Sequence, residues 1–173
     1  MSHLVLGGAR SGKSRYAEQL ALNTQKPRIY IATAQAVDDE MAQRIAHHQQ
    51  QRCQNVWQLV EEPIYLADRL AALDQEHQVI LVDCLTIWMS NLLLASDPDL
   101  QGRECLKLLE LLPKLKSEII MVSNETGLGV IPLGEITRRF VDESGRLHQA
   151  LGQVCQHVVF CVAGFPMQLK GVE

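Results

Sequence analysis

Five short apolar runs recur along the chain, and longer segments with the apolar spacing of helices separate them. Each run is rich in Val, Ile or Leu, which is typical of strands. This alternation of strands and helices predicts an α/β protein with a parallel sheet and helices on both of its faces. The predicted strands are Leu4–Leu6, Arg28–Ala32, Val79–Val82, Ile119–Ser123 and Val158–Val162.

The segments between these runs carry the signals of helices. Ser14–Leu22 is amphipathic, and Asp38–Gln51 opens with acidic residues, which suit the positive end of a helix dipole. Pro63 is placed to open a helix over Ile64–Leu73. The other predicted helices are Leu85–Ala95, Leu100–Leu112 with a break at Pro113, and Leu133–Cys155 with an interruption or kink near Gly145.

Composition limits the classes of protein to which the chain can belong. The 173 residues are 47% hydrophobic and contain no linker rich in Gly, Ser or Pro, so we expect one domain over residues 1–173. The net charge of -4 offers no basic face, and we expect no nucleic-acid partner. Because the sequence shows neither a signal peptide nor an apolar stretch of membrane-spanning length, we expect no membrane span and a cytoplasmic protein.

The cysteines favour neither a disulfide framework nor a zinc site. They are odd in number, far apart and without a Cys-x-x-Cys pair, so we expect reduced, buried thiols. The five are Cys53, Cys84, Cys105, Cys155 and Cys161.

A glycine-rich segment joins the first predicted strand to the first predicted helix. It reads Gly7, Gly8, Ala9, Arg10, Ser11, Gly12, Lys13 and Ser14, which matches the Gly-x4-Gly-Lys-Ser/Thr pattern of a phosphate-binding loop. The backbone N–H groups of such a loop surround phosphate oxygens, and the helix N-terminus adds a favourable dipole. We expect Lys13 to reach the terminal phosphates of a nucleotide and Ser14 to ligate Mg²⁺. The motif predicts a nucleotide-dependent phosphotransferase.

A second metal ligand is expected at the end of the third apolar run. Val79–Val82 is followed by Asp83, the arrangement of a Walker B carboxylate. Many strands end in Asp only to start a turn, so this assignment depends on the pairing of Asp83 with the phosphate-binding loop. Together the two motifs predict a nucleotide and Mg²⁺ as ligands.

His47 and His48 lie late in the predicted helix Asp38–Gln51. Adjacent residues on a helix point about 100° apart, so these two imidazoles are poorly placed to share one metal ion, and zinc is disfavoured. The residues alone leave two interpretations open: solvated histidines on a helix surface, or a nucleophile for group transfer.

Five segments, taken in their order along the chain, carry a resemblance to a known family. They are Gly7–Arg15, Tyr30–Gln35, Asp38–Met41, Arg44–His48 and Asn124–Pro132. Together they closely resemble the bifunctional adenosylcobinamide kinase / adenosylcobinamide-phosphate guanylyltransferase family of cobalamin biosynthesis. The resemblance covers essentially the whole chain, as far as Val162-Ala163-Gly164.

The resemblance implies a three-layer P-loop NTPase fold of the RecA-like type with a mostly parallel central sheet. It implies two reactions in one cleft, with ATP or GTP as the kinase donor: phosphorylation of the aminopropanol hydroxyl of adenosylcobinamide, then transfer of GMP from GTP to that phosphate with release of pyrophosphate. The second reaction passes through a guanylylated histidine, which we assign to His47, with His48 as the alternative. The resemblance also implies a homo-oligomer, a trimer.

The resemblance places further nucleotide contacts outside the phosphate-binding loop. They are the turn Ala32, Thr33 and Ala34, residues after the nucleophile, and an acidic residue that follows Trp57. Glu61 fits this last position, with the adjacent Glu62 as an alternative. After His48 the chain reads Gln49-Gln50-Gln51-Arg52 where relatives have a run of the Lys-Asp-Gly-Arg type, so Arg52 is the contact best retained. The segment Asn124–Pro132 is expected to be a loop near the substrate.

Two other functions remain open from the sequence. A small-molecule P-loop kinase without guanylyl transfer would carry its histidines as surface residues and form no covalent GMP adduct. A nucleotide-binding regulatory module is the second, although the chain lacks the Asn-Lys-x-Asp sequence by which GTPases read guanine.

Overall fold

One sheet organises the computed structural model, which describes residues 1–34 and 57–171. Its strand order is β3-β2-β4-β5-β1-β6-β7. Neighbouring strands are parallel except β7, which runs antiparallel to β6. The strands are β1 (Ser2–Gly7), β2 (Arg28–Ala32), β3 (Gln58–Glu61), β4 (Val79–Asp83), β5 (Glu118–Asn124), β6 (His157–Val162) and β7 (Phe165–Lys170).

The inner strands are apolar along their whole length because both faces of the sheet are covered. Alternate residues of β1 enter different cores: Leu4 and Leu6 pack on one side of the sheet, and Val5 packs on the other. The same alternation places Ile29 and Tyr30 of β2 in opposite cores. This pattern confirms the predicted α/β fold with helices on both faces.

Five α-helices in the described part of the chain form the outer layers. They are α1 (Lys13–Asn23), α2 (Leu66–Leu73), α3 (Leu85–Leu93), α4 (Leu100–Leu111) and α5 (Glu135–Val154), and a short 3-10 helix at Leu112–Lys114 contains Pro113. Helix α1 packs on one face of the sheet through Ala17 and Ala21, and α2 to α5 contribute to the core on the other face. The predicted helix Asp38–Gln51 lies outside the described residues.

Two helix predictions need correction. Helix α2 begins at Leu66, not at Ile64, because the Glu62 carboxylate accepts the N–H groups of Ile64 and Tyr65 at 3.2 and 2.8 Å and holds them in a turn. Pro63 therefore lies before the helix. Helix α5 runs unbroken through Gly145. A helical glycine costs about 1 kcal/mol, which burial of residues such as Leu147 and Leu151 on this helix can offset.

The two edge strands, β3 and β7, were not predicted. Every residue of β7 is exposed, and in β3 only Val60 is partly buried. Among the described residues these strands lie at the two ends of the sheet and their side chains are largely exposed, so their sequences do not need the apolar run that marks an inner strand.

The described residues bear on two composition-based predictions, the buried thiols and the membrane span. Cys84, Cys105, Cys155 and Cys161 are free and buried, which confirms the predicted thiols, and Cys53 lies outside the described residues. Burial raises the pKa of Cys105 and of Cys155 to about 11. Among the described residues, no helix is long and apolar enough to cross a membrane.

Candidate nucleotide-binding site

The carboxyl ends of the parallel strands form the edge of the sheet at which the predicted site residues meet. Strand β5 lies between β1, which leads into the glycine-rich loop, and β4, which ends at Asp83. The register pairs Gly7 with Asn124 and Asp83 with both Val122 and Ala32. In open α/β sheets, ligands bind outside this edge.

Two glycines allow the loop after β1 to fold against its neighbours. A Cβ atom at Gly7 would collide with Ser11 Oγ and lie 2.7 Å from the carbonyl oxygen of Cys161. Gly12 has a φ of 93°, and a Cβ there would lie 3.0 Å from the Cα atom of Gly164. The motif therefore needs glycine at these positions for close backbone approach, and at Gly12 also for a left-handed conformation.

The loop ends at the N-terminus of α1, where the geometry suits an anion. Gly12 is the N-cap and supplies no capping side chain, and the first turn of α1 contains no acidic residue. Its N–H groups and the positive end of the helix dipole are therefore available to phosphate. Lys13 Nζ donates a hydrogen bond to the carbonyl oxygen of Gly8 at 3.1 Å, which holds the ammonium group across the loop. Ala9 and Arg10 are exposed at the tip of the loop.

The turn between β6 and β7 supports the loop from the side. The N–H of Gly164 donates to the carbonyl oxygen of Ser11 at 2.9 Å. The Ser11 side chain is buried, and its Oγ has no hydrogen-bond partner among the described residues. Burial raises the pKa of the Cys161 thiol, and the charge of Lys13 opposes this shift, which places Cys161 near the ammonium group. Apart from a glycine after a strand, no sequence pattern predicted this support.

Ser14 and Asp83 offer oxygen donors that fit Mg²⁺. Ser14 is the second residue of α1, Asp83 is the last residue of β4, and both are half-buried. Mg²⁺ at nucleotide sites takes one or two protein ligands together with substrate phosphates and water. Within residues 1–34 and 57–171, no group of three or more His, Cys, Asp or Glu side chains could hold a metal ion by itself. The donor set therefore suits a metal shared with phosphate.

The turn after β2 is fixed by its central side chain. Thr33 is fully buried, and its Oγ1 donates to the carbonyl oxygen of Cys84 at 2.7 Å and accepts the N–H of Cys84 at 3.0 Å. Asn91 Nδ2 donates to the carbonyl oxygens of Thr33 and Pro63 at 2.9 and 3.1 Å. Thr33 thus holds the end of β2 against the end of β4, and Ala34 is half-buried beside it. The sequence did not single out Asn91.

The structure distinguishes the two adjacent glutamates. Glu61 is exposed at the end of β3, in register with Ala32. Glu62 is buried, and its Oε1 atom accepts backbone N–H groups of the turn before α2. Its Oε2 atom lies 3.4 Å from Arg69 Nε. Of the pair, Glu61 has the side chain that is accessible to a ligand at the carboxyl edge.

A polar cluster at the end of β5 combines Glu125, from the predicted loop Asn124–Pro132, with Ser123 and His148, which the sequence did not single out. The N–H of Glu125 donates to the carbonyl oxygen of Gly7 at 3.0 Å, so the loop after β5 begins beside the phosphate-binding loop. His148 of α5 lies 2.8 Å from Ser123 Oγ through Nε2 and 3.7 Å from Glu125 Oε2 through Nδ1. Burial lowers the pKa of His148, and the nearby Glu125 carboxylate opposes that shift. The loop predicted over Asn124–Pro132 is present over residues 125–132, and Asn124 is instead the last residue of β5.

His47, His48 and Arg52 lie outside the described residues, so no geometry supports or opposes their predicted roles. The other predicted site residues all lie at the carboxyl edge of the sheet or in the loop that follows β1.

A strand, a glycine-rich loop and a helix that begins with Lys-Ser, set at the carboxyl edge of a mostly parallel sheet, define a protein of P-loop NTPase fold. Solved structures agree. A KaiC-like protein from Pyrococcus horikoshii superposes with a TM-score of 0.52 at 14% identity, over 92% of this chain and 69% of that one. The RadB recombinase gives a TM-score of 0.53 at 17% identity, over 92% of this chain and 73% of that one. At these identities the likeness concerns the fold alone.

Sequence comparison gives the family. Residues 3–169 match the model of the family described as cobinamide kinase / cobinamide phosphate guanyltransferase. The chain is 54% identical to the bifunctional adenosylcobalamin biosynthesis protein CobP of Pseudomonas aeruginosa, over 99% of this chain and 98% of that protein. It is 35% identical to the bifunctional adenosylcobalamin biosynthesis protein CobU of Escherichia coli K12, over 98% of this chain and all of that protein. The chain belongs to this family, which confirms the resemblance drawn from its motifs.

Proposed function

We propose that this protein phosphorylates adenosylcobinamide with a nucleoside triphosphate and then transfers GMP from GTP to the phosphorylated product. The observation that carries the proposal is the phosphate-binding loop, whose helix N-terminus, Lys13 and Ser14 lie at the carboxyl edge of the sheet. Membership of a family described by both activities supplies the two substrates.

The phosphate-binding loop has a role in both reactions. The N–H groups from Gly8 to Ser14 surround the phosphates, and the ammonium of Lys13 exchanges its bond with the Gly8 carbonyl for phosphate oxygens. Ser14 and Asp83 would hold Mg²⁺, which supplies neutralisation of the developing charge on the phosphates. Because transfer of a phosphoryl group depends mostly on positioning and electrostatics, these residues supply the greater part of catalysis.

The second reaction requires a nucleophile, for which His47 is proposed, with His48 as the alternative. A neutral imidazole nitrogen attacks the α-phosphorus of GTP, a phosphoramidate bond forms, and pyrophosphate leaves with the electron pair of the broken bond. An oxygen of adenosylcobinamide phosphate then attacks the same phosphorus, releases the imidazole and gives adenosylcobinamide-GDP. This assignment rests on the resemblance alone, because both histidines lie outside the described residues.

The nucleotide contacts outside the loop are also part of the proposal. Glu61 is exposed at the carboxyl edge of the sheet in register with Ala32, and its accessibility supports a role in holding the guanosine. The turn Ala32, Thr33 and Ala34 is proposed as a nucleotide contact on the resemblance. Arg52 and His48 are proposed as further contacts on the resemblance alone. Either ATP or GTP can serve the kinase step in this scheme.

We further propose a single-domain, cytoplasmic homo-oligomer, a trimer, with small-molecule substrates and without a nucleic-acid partner. The net charge of -4 supports the last point. Support for the oligomer comes from exposed apolar side chains around the loop after β5, which we name the apolar loop surface. It comprises Leu128, Val130, Ile131 and Leu133, which are 81%, 95%, 77% and 97% exposed.

The decisive experiment is incubation of the purified protein with Mg²⁺ and GTP labelled at the α-phosphate, followed by denaturation and peptide mapping. We expect an acid-labile, alkali-stable GMP adduct in the wild type and in His48→Ala, and none in His47→Ala. An adduct lost only in His48→Ala would move the nucleophile by one residue. If the wild type binds nucleotide yet forms no adduct, guanylyl transfer through a histidine is excluded, and phosphorylation of adenosylcobinamide would then separate a kinase from a regulatory module.

A further inference from the structure

Four polar side chains form a chain at the end of β5, and the roles proposed above do not use them. Ser123 and His148 are buried, and Thr86 and Glu125 are half-buried. Ser123 Oγ lies at the centre of the chain, 2.8 Å from His148 Nε2 and 3.3 Å from Thr86 Oγ1. The chain continues from His148 Nδ1 to Glu125 Oε2 at 3.7 Å. Ser123 is 1% exposed and His148 is 8% exposed, whereas the Glu125 side chain is 21% exposed and lies at the open end.

One arrangement of the hydrogen bonds in this chain points toward Glu125. Thr86 Oγ1 accepts the N–H of Asn124 at 2.7 Å and can donate toward Ser123, whose hydroxyl can then donate to Nε2 of His148. A neutral imidazole then carries its proton on Nδ1, toward the Glu125 carboxylate. The separation of 3.7 Å is too long for a hydrogen bond but allows the N–H dipole to orient the carboxylate.

The backbone of Glu125 is hydrogen-bonded to the first residue of the phosphate-binding loop. Glu125 N donates to the carbonyl oxygen of Gly7, and Lys13 Nζ donates to that of Gly8, the next residue. A lysine at this position of the motif reaches the β- and γ-phosphates. Asn124 Oδ1, at the same strand end, is buried without a hydrogen-bond partner among the described residues. Glu125 is therefore anchored next to the part of the loop whose lysine is expected to reach the γ-phosphate.

We propose that Glu125 is the proton acceptor of the kinase step and that His148 is a positioning residue for it. The inference rests on the proposed kinase function. Glu125 Oε1 accepts the N–H of Gly127 at 2.5 Å, which leaves Oε2 to take the proton of the substrate hydroxyl. The hydroxyl oxygen bonds to the γ-phosphorus, the bond from that phosphorus to the β–γ bridging oxygen breaks, and the nucleoside diphosphate leaves with its electron pair. Glu125 then releases the proton to water.

The proposal predicts that the two activities separate. Guanylyl transfer uses an imidazole and an anionic phosphate as nucleophiles, so neither half of it requires Glu125 as a base. Glu125→Gln keeps the size of the side chain and an oxygen that can accept the Gly127 N–H, and it removes the base. We expect the rate of adenosylcobinamide phosphorylation to fall about 100-fold or more, with formation of the GMP adduct unchanged.

The matched control is Glu135→Gln, an exposed carboxylate in the first turn of α5, which should leave both rates unchanged. His148→Gln tests the positioning role: kcat of the kinase step should fall, while KM for adenosylcobinamide and formation of the adduct stay as in the wild type. The inference is overturned if Glu125→Gln phosphorylates adenosylcobinamide at the wild-type rate, or if both activities fall together. A wild type that lacks kinase activity would instead refute the proposed function.

Discussion

Glu61 and Glu62 are adjacent at the end of β3, yet their surroundings give them different roles. The Glu62 carboxylate is buried and accepts two backbone N–H groups of the turn before α2. Glu61 is exposed beside Ala32 and lies at the edge of the sheet where the nucleotide is proposed to bind. The sequence could not separate the two because the burial of Glu62 depends on how the chain enters α2.

Substitution of each glutamate by alanine should therefore affect a different property. Glu62→Ala removes a charged acceptor from two partly buried N–H groups and should lower the free energy of unfolding by about 1.5–3 kcal/mol, measured by urea denaturation. Glu61→Ala should change that free energy by less than about 0.5 kcal/mol and should weaken GTP binding, measured by calorimetry. Weaker GTP binding confined to the folded Glu62→Ala variant would contradict the assignment of Glu61 to the nucleotide.

Other site residues were predictable to different degrees. Gly7, Lys13 and Asp83 follow from motifs in which residue type and strand end coincide, and the structure places all three in the loop or at the carboxyl edge. His148 was not predictable, since it lies in α5 and meets Ser123 only because that helix packs on the sheet. Contacts made by tertiary packing leave no spacing in the sequence.

At the scale of elements, the strands that were predicted are those whose two faces are both covered. Their boundaries agree within about two residues, which is ordinary for sequence patterns.

Strand β7 follows β6 through Ala163 and Gly164, whose φ angles are 52° and 85°. Two positive φ values are typical of a type I′ hairpin turn, but Ala-Gly is not its usual sequence, and Pro166 argues against a strand. The hairpin therefore had no recognisable signal.

This turn offers a prediction about stability. Ala163 is an exposed alanine in the left-handed region, where asparagine is accepted at lower cost and is preferred in type I′ turns. Ala163→Asn should raise the free energy of unfolding by about 0.5–1 kcal/mol in urea denaturation. The control is Ala71→Asn at an exposed position of α2, which should lower it by about 0.5 kcal/mol because asparagine has the poorer helix propensity. If the free energy of unfolding changes in the same direction and by the same amount in both variants, the conformation of the turn does not determine the effect.

At the scale of the whole molecule, the apolar loop surface exposes more apolar area than scattered single residues would. It is continuous along the chain with Ile136, which lines a cavity of about 260 Å³ together with Leu94 and Phe140. Exposed apolar patches of this kind mark interaction sites, and a second copy of the chain is the partner that the proposed homo-oligomer requires. Contacts between copies at this loop would lie close to Glu125 and the phosphate-binding loop.

The surface can be tested by placing charges in it. Because burial of an unpaired carboxylate between subunits is costly, Val130→Asp combined with Leu133→Asp should shift the mass in sedimentation equilibrium from a multiple of 19.4 kDa to the monomer value. Leu106→Asp, on the exposed face of α4, is the control and should keep the wild-type mass. Both variants should unfold near the wild-type urea concentration if the fold of each subunit is intact. If the oligomer survives the double substitution, the copies contact each other elsewhere on the surface. The exposed loop would then be a candidate binding surface for the corrinoid substrate. Calorimetry should in that case show weaker binding of adenosylcobinamide to the double variant than to the wild type.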